Sequence, residues 1–149
     1  MEPQHQFEKQ QKKILRIFFA VLTTAAIFLG IALYFAFTQN GGDYFAPRIQ
    51  RMFKIAMGIY TLLVIFSSRW TYQRRVRAIP SALKMPEKLI LFRRVYMLHL
   101  ISIEGALFFT YVALMITSDL LILLFIALLV GIIVSLYPSQ QFLHKTLPD

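Results

Sequence analysis

Four blocks of the chain, residues 14–37, 52–68, 95–117 and 120–137, are almost wholly apolar, and nothing else in the sequence constrains the fold as strongly. A helix needs about 20 such residues to cross roughly 30 Å of hydrocarbon. The second block is short as written. It lengthens if its helix starts at Pro47, a residue favoured in the first helical turn, and carries Arg48, Arg51 and Lys54 into its first turns. Composition agrees: 58% of the 149 residues are apolar and only 15% charged, where a soluble domain is nearer half and a quarter. The expectation is an all-α integral membrane four-helix bundle. It forms one domain over residues 1–149, with helices near 14–37, 47–70, 88–117 and 119–137 and a basic cytoplasmic loop near 71–87.

The first block, 24 residues long, exceeds the apolar core of a secretory signal, and the following "FAFTQNGG" holds no small-x-small cleavage site. It reads as a retained helix. The absence of cysteine excludes disulfides, thiolate metal sites and a cysteine nucleophile.

The net charge of +9 is placed asymmetrically. Lys9, Lys12, Lys13 and Arg16 precede the first block, and Lys145 lies in the tail. Arg69, Arg74, Arg75, Arg77, Lys84, Lys88, Arg93 and Arg94 fill the region between the second and third. Only Arg48, Arg51 and Lys54 belong to the other ends. Lys and Arg are retained on the cytoplasmic side, so both termini are expected there, as an even helix count also demands. The simplest partners for Arg74, Arg75, Arg77, Arg93 and Arg94 are anionic lipid headgroups, at about 1 kcal/mol per charge. No aromatic-interleaved basic face points to nucleic acid. The setting is that of an inner (plasma) membrane protein.

Between the blocks, Asn40-Gly41-Gly42 marks a reversal and Asp43 is a candidate cap. Tyr34 and Tyr44 suit the outer interface; Trp70, Tyr72, Tyr96 and Tyr137 suit the inner one. From Pro86 the chain fits either a short interfacial helix or an inward extension of the third helix, and the lack of a breaker before Thr117 favours the extension. "TSD" alone joins the last two helices, which predicts a tight antiparallel hairpin with Ser118 or Asp119 capping the fourth. Pro138 stops that helix. Ala127, Gly131 and Ser135 form a small-residue row on it, as Ala26 and Gly30 do on the first. Such rows let helices approach closely in lipid, and packing inside the bundle is favoured over a dimer seam.

Glu104 is the residue that lipid does not explain. Ten residues beyond Arg94, it lies ~15 Å deeper, near the midplane. A central charge costs about 2.5–3.5 kcal/mol on insertion scales, so the carboxyl must be protonated, paired or wet. Helical spacing puts Met97, Leu100, Ile101, Phe108 and Tyr111 on its face and His99 about 140° away. Tyr60, Thr61, Thr23 and Thr24 lie near its level, Lys54 one to two turns outward, and Gly58 and Gly105 would permit close approach. The expected arrangement is a midplane polar knot, with Glu104 bonded to Tyr60 or a threonine and Lys54 reaching down. His5, His99 and His144 have no ligand at metal spacing. No serine nucleophile motif or phosphate loop occurs. The sequence therefore predicts no catalytic residue, metal or cofactor, and no enzyme.

The run "FRRVYMLHLISIEGALFFTYVALMIT", followed by "LYPSQQFLHKTL", resembles small four-helix bacterial inner-membrane proteins of unknown function. The resemblance covers about residues 88–147 and rests on Arg94, on Glu104, Gly105, Ala106, Leu107 and Phe108, and on Pro138 and Ser139. It implies the hairpin and a bacterial source, and no activity. Small multidrug antiporters also use a membrane glutamate, but in their first helix. The small four-helix accessory protein encoded with rotary ATP synthases has one in its third, without this long basic loop. Two functions follow as expectations. One is a non-enzymatic accessory or structural protein acting through helix and basic-loop contacts, in a complex or as a homo-oligomer. The other is a small oligomeric proton- or cation-coupled transporter using Glu104.

Overall fold

The computed structural model describes residues 2–38 and 46–147, and these residues are helical throughout except for short connections. Five helices follow in order: α1 Glu2–Thr38, α2 Pro47–Arg77, α3 Met85–Thr117, α4 Leu120–Ser135 and α5 Gln140–Thr146. Three of them, α1 to α3, are long and apolar enough to cross a membrane; α4 is apolar but has only 16 residues. The expected reversal at Asn40–Gly42, the Asp43 cap and the boundary residue Tyr44 lie outside the described residues.

Several helix bounds depart from expectation for local reasons. The polar start of the chain joins α1 as far back as Glu2, because Gln, Glu and Lys are good helix formers and nothing interrupts them. For the same reason α2 continues past Trp70 to Arg77, so most of the expected basic loop is helix and the connection is residues 78–84. Pro80 lies in that connection. α3 starts at Met85, with Pro86 in its first turn, where a missing N–H costs nothing. α5 is a helix the sequence reading did not foresee. Pro138 ends α4, and the Ser139 hydroxyl then accepts the Phe142 N–H at 3.0 Å, capping a new helix.

α3 is the hub and packs against α1, α2 and α4. Half of its apolar window is buried, against 22% for α1 and 11% for α2. The α1 face of the seam repeats at helical spacing through Ile14, Phe18, Val21, Ala25, Ala32 and Ala36. Alanines there, with Ala106 and Ala113 on α3, let the two backbones come close. Among the described residues, two side-chain hydrogen bonds to α1 carbonyls cross this seam. Tyr111 Oη donates to the Ala25 carbonyl at 2.9 Å, and Ser118 Oγ donates to the Ala36 carbonyl at 3.0 Å.

Ser118 also terminates α3 in the left-handed region, at φ 49°, a place usually taken by glycine. The next residue, Asp119, caps α4 by accepting the Leu121 N–H at 2.8 Å. Tyr96, early in α3 and fully buried, donates to the Leu136 carbonyl just past the end of α4, at 2.9 Å. Tyr96 and the half-buried Tyr72 are therefore interior residues, not interface markers, while Trp70 and Tyr34 are exposed. α5 completes the base of the bundle: Leu143 and Leu147 are buried, and Phe142 meets the Phe92 ring edge-on at 6.4 Å.

The small-residue rows do not pack inside the bundle. Ala127, Gly131 and Ser135 are exposed, as are Ala26 and Gly30, and a Cβ on Gly30 or Gly131 would meet nothing within 4 Å. α4 packs instead through Ile122, Ile126, Leu129 and Ile133, whose branched side chains fill space that alanine and glycine would leave empty. Close approach occurs at Gly58, where a Cβ would lie 3.1 Å from the Phe125 ring of α4.

Candidate functional site

Glu104 is half-buried on the side of α3 that meets α1. It lines a cleft of about 250 Å³ with Ala25 and Phe28 of α1 and Ile101, Gly105, Phe108 and Tyr111 of α3. Three of the residues that helical spacing put on its face, Ile101, Phe108 and Tyr111, are thus its neighbours. Phe28 and Phe108 meet edge-on at 5.8 Å beside it. Phe28, Ile101 and Phe108 are 38%, 51% and 47% exposed, at mid-length of α1 and α3. The cleft therefore opens sideways from the bundle. Gly105 leaves room, since a Cβ there would meet nothing within 4 Å.

The polar knot expected around Glu104 is not assembled. Lys54 forms an ion pair with Asp119, linking α2 to the α3–α4 connection. Counting along the helices puts both at the same level, near the start of α2 and of α4, so this pair is one that sequence reasoning could have found and did not. The Lys54 ammonium holds the Asp119 carboxyl below the usual carboxylate range, helped by the Leu121 N–H and opposed by partial burial. Tyr60 is on the α2 side, edge-on to Phe109 at 5.8 Å. Thr61 is fully buried in α2, and its hydroxyl has no hydrogen-bond partner. Thr24 bonds the Ala20 carbonyl of its own helix at 2.9 Å, and Thr23 is exposed. Among the described residues no side chain hydrogen-bonds or ion-pairs with Glu104. Tyr111, which lines the same cleft, has its hydroxyl committed to Ala25.

A second polar layer lies toward the other end of α2 and α3. His99, buried to 6% exposure, stacks on Tyr72 with ring centroids 4.6 Å apart. His99 Nδ1 and Tyr72 Oη are buried without hydrogen-bond partners. Clefts of about 420 and 240 Å³ flank the stack, the first bounded by Ser67, Thr71, Arg75 and Ser102, the second by Arg69, Gln73 and Ser135. Sequence spacing separated His99 from Glu104 correctly but gave no sign of Tyr72, which sits on another helix.

The basic residues divide between two faces. On α2, the Arg74 guanidinium lies 5.5 Å from the Trp70 ring centroid, a cation–π contact, and Arg75 and Arg77 extend from the exposed last turns. On α3, Arg93 Nη1 donates to Gln10 Oε1 of α1 at 3.2 Å, and Arg94 is exposed beside it. Among the described residues no group of three or more His, Asp or Glu side chains could hold a metal. No protein-family model, curated protein or solved structure matches the chain.

Proposed function

We propose that the chain crosses an inner membrane four times, with α3 and α4 as an antiparallel hairpin and both termini cytoplasmic. In this reading it serves as a non-enzymatic accessory protein that associates with another membrane segment at the Glu104 cleft. The observation that carries the reading is Glu104 itself: a carboxyl at mid-length of α3, without a partner among the described residues, lining a cleft that opens sideways between apolar rims. A charge at that depth costs about 2.5–3.5 kcal/mol. A donor or cation supplied by a neighbouring helix would offset that cost, which gives such a helix a reason to bind there.

α4 supports a fourth crossing because its 16 residues are all apolar apart from the last serine, and Leu136 and Tyr137 prolong it toward the interface. The basic residues then fall overwhelmingly on one side. The rival transporter needs water at Glu104, and the cleft's lining of Ala25, Phe28, Ile101 and Phe108 does not favour water.

The test uses the wild-type protein and Glu104→Gln in sealed proteoliposomes, with extraction of the native assembly in mild detergent alongside. Neither form should pass protons or monovalent cations above empty vesicles. The wild type should run as a larger assembly, and Glu104→Leu should run smaller. Proton flux abolished by Glu104→Gln would establish the transporter instead. A protein that is monomeric in every mild extraction would remove the accessory reading.

A further inference from the structure

A basic concavity lies on a different part of the α1–α3 seam from Glu104. Lys13, Arg16 and Ile17 of α1 face Arg93, Arg94 and Met97 of α3 across a cleft of about 530 Å³. A second cleft of about 300 Å³, bounded by Lys9, Gln10 and Lys13 of α1 and by Pro86 and Ile90 of α3, shares Lys13 with it. From Lys9 to Arg16 is seven residues, so the two together follow the seam for ~10 Å. Among the described residues no carboxylate lines either cleft.

Three features decide what such a surface accepts. The first is charge: four cationic side chains converge on the larger cleft, and none of Lys13, Arg16 or Arg94 is in an ion pair among the described residues. Like charges gathered this way repel one another until an anion enters. The second is geometry. The Gln10 side-chain carbonyl accepts from Arg93 and holds one guanidinium over the cleft, leaving its remaining N–H groups as a planar fork suited to phosphate oxygens. The third is level along the chain. Arg16 and Arg94 are the last charges before the apolar stretches of α1 and α3, and Ile17 and Met97 continue the cleft wall into those stretches. Cations at the rim and apolar side chains below match the two halves of a lipid, and basic pockets between membrane helices hold phospholipid headgroups in this way.

We infer that the Lys13–Arg16–Arg93–Arg94 cleft is a binding site for one anionic phospholipid, its phosphate held by the arginines and an acyl chain running along Ile17 and Met97. This is a defined site on the α1–α3 seam. It differs from the general attraction of the basic surface to an anionic leaflet, and it is independent of the role given to Glu104.

The experiment measures retention of short-chain dioctanoyl phosphatidylglycerol by the full-length protein in detergent, by native mass spectrometry and by thermal shift. Dioctanoyl phosphatidylcholine and inorganic phosphate serve as comparison probes. The site variant is Lys13→Gln/Arg16→Gln/Arg94→Gln; the control, Arg74→Gln/Arg75→Gln/Arg77→Gln, removes the same charge from the end of α2. One phosphatidylglycerol should remain bound to the wild type and to the control, with at least ten-fold weaker retention in the site variant and no comparable retention of the other two probes. Equal loss in both triple variants would overturn the inference in favour of diffuse electrostatics. Retention of phosphatidylcholine as strong as that of phosphatidylglycerol would overturn it too. Binding of inorganic phosphate alone as tightly as the lipid would show an anion site without a lipid. Should the site variant fail to fold, Arg94→Gln, at an exposed position, should still weaken retention, and unchanged retention there would count against the site.

Discussion

Replacing Tyr111 by phenylalanine removes one hydroxyl from the α1–α3 seam and leaves the ring. The hydroxyl donates to the Ala25 carbonyl at 2.9 Å, and the side chain is 3% exposed. The Ala25 carbonyl keeps its own helix as a second partner, so the change orphans no backbone group. Interhelical polar contacts in membranes average about 0.6 kcal/mol and reach about 1.7 kcal/mol. The variant should therefore unfold about three- to eighteen-fold more readily at equilibrium, at about 1.4 kcal/mol per decade. Ser118→Ala removes the second seam bond, to Ala36, and should cost a similar amount. Ala25 and Ala36 lie eleven residues apart on α1, ~16 Å along the helix. At that separation the two effects should add within about 0.5 kcal/mol. The assay is reversible unfolding in mixed micelles by denaturing detergent, followed by helical circular dichroism. Stability unchanged in both variants, or a double variant far worse than the sum, would refute the description of these two bonds as independent ties across the seam.

Other perturbations test other parts of the structure. Gly58→Val should destabilise by about 1–3 kcal/mol, because even a Cβ would press on Phe125, while Gly131→Ala should be neutral within about 1 kcal/mol since its surroundings are open; both are read by the same unfolding titration. Asp119→Asn should cost up to about 1 kcal/mol at pH 7, where the ion pair to Lys54 is lost while the amide oxygen can still cap α4. Because pairing lowers the folded-state carboxyl pKa, this contribution is complete above the ordinary aspartate value of about 4. It fades as pH falls through the lowered one, so the gap between the wild type and Asp119→Asn should close in acid. For the proposed four crossings, single cysteines placed at His5, Ser81 and Gln141 should label from one side of sealed vesicles and those at Arg48 and Leu120 from the other, and a mixed result would change the count.

Periodicity made some of this legible and three-dimensional pairing hid the rest. Apolar runs located α1 to α4 because lipid demands length and composition, both of which can be read directly. The inward extension of α3 through Pro86 was visible for the same reason, as no breaker follows it. The faces of the helices were harder to read. In lipid the outward face of a helix is apolar as the inward one is, so Ala127, Gly131 and Ser135 carry no mark of which way they point, and they point outward. Tyr96 and Tyr72 were placed at an interface because tyrosine is amphipathic, yet an inward tyrosine satisfies its hydroxyl on a neighbouring carbonyl, as Tyr96 does on Leu136. Around Glu104 the neighbours on its own helix were foreseeable from spacing. Those on other helices depended on rotation about each axis, and Lys54 turned to the nearer carboxylate at Asp119. α5 escaped because seven residues are too few to show a period.

Whether water reaches Glu104 separates an association site from a transport site, and one thiol can report it. The chain has no cysteine, so Ile101→Cys places a single thiol on the rim of the Glu104 cleft. Maleimides react with the thiolate, which forms in water and is suppressed in hydrocarbon. In sealed membranes the Ile101→Cys thiol should resist a water-soluble maleimide applied from either side, while Ser81→Cys, on the exposed α2–α3 connection, should label fully from one. Labelling of Ile101→Cys at a rate near that of Ser81→Cys would mean that the cleft is aqueous, and would contradict a Glu104 that meets a neighbouring helix in lipid.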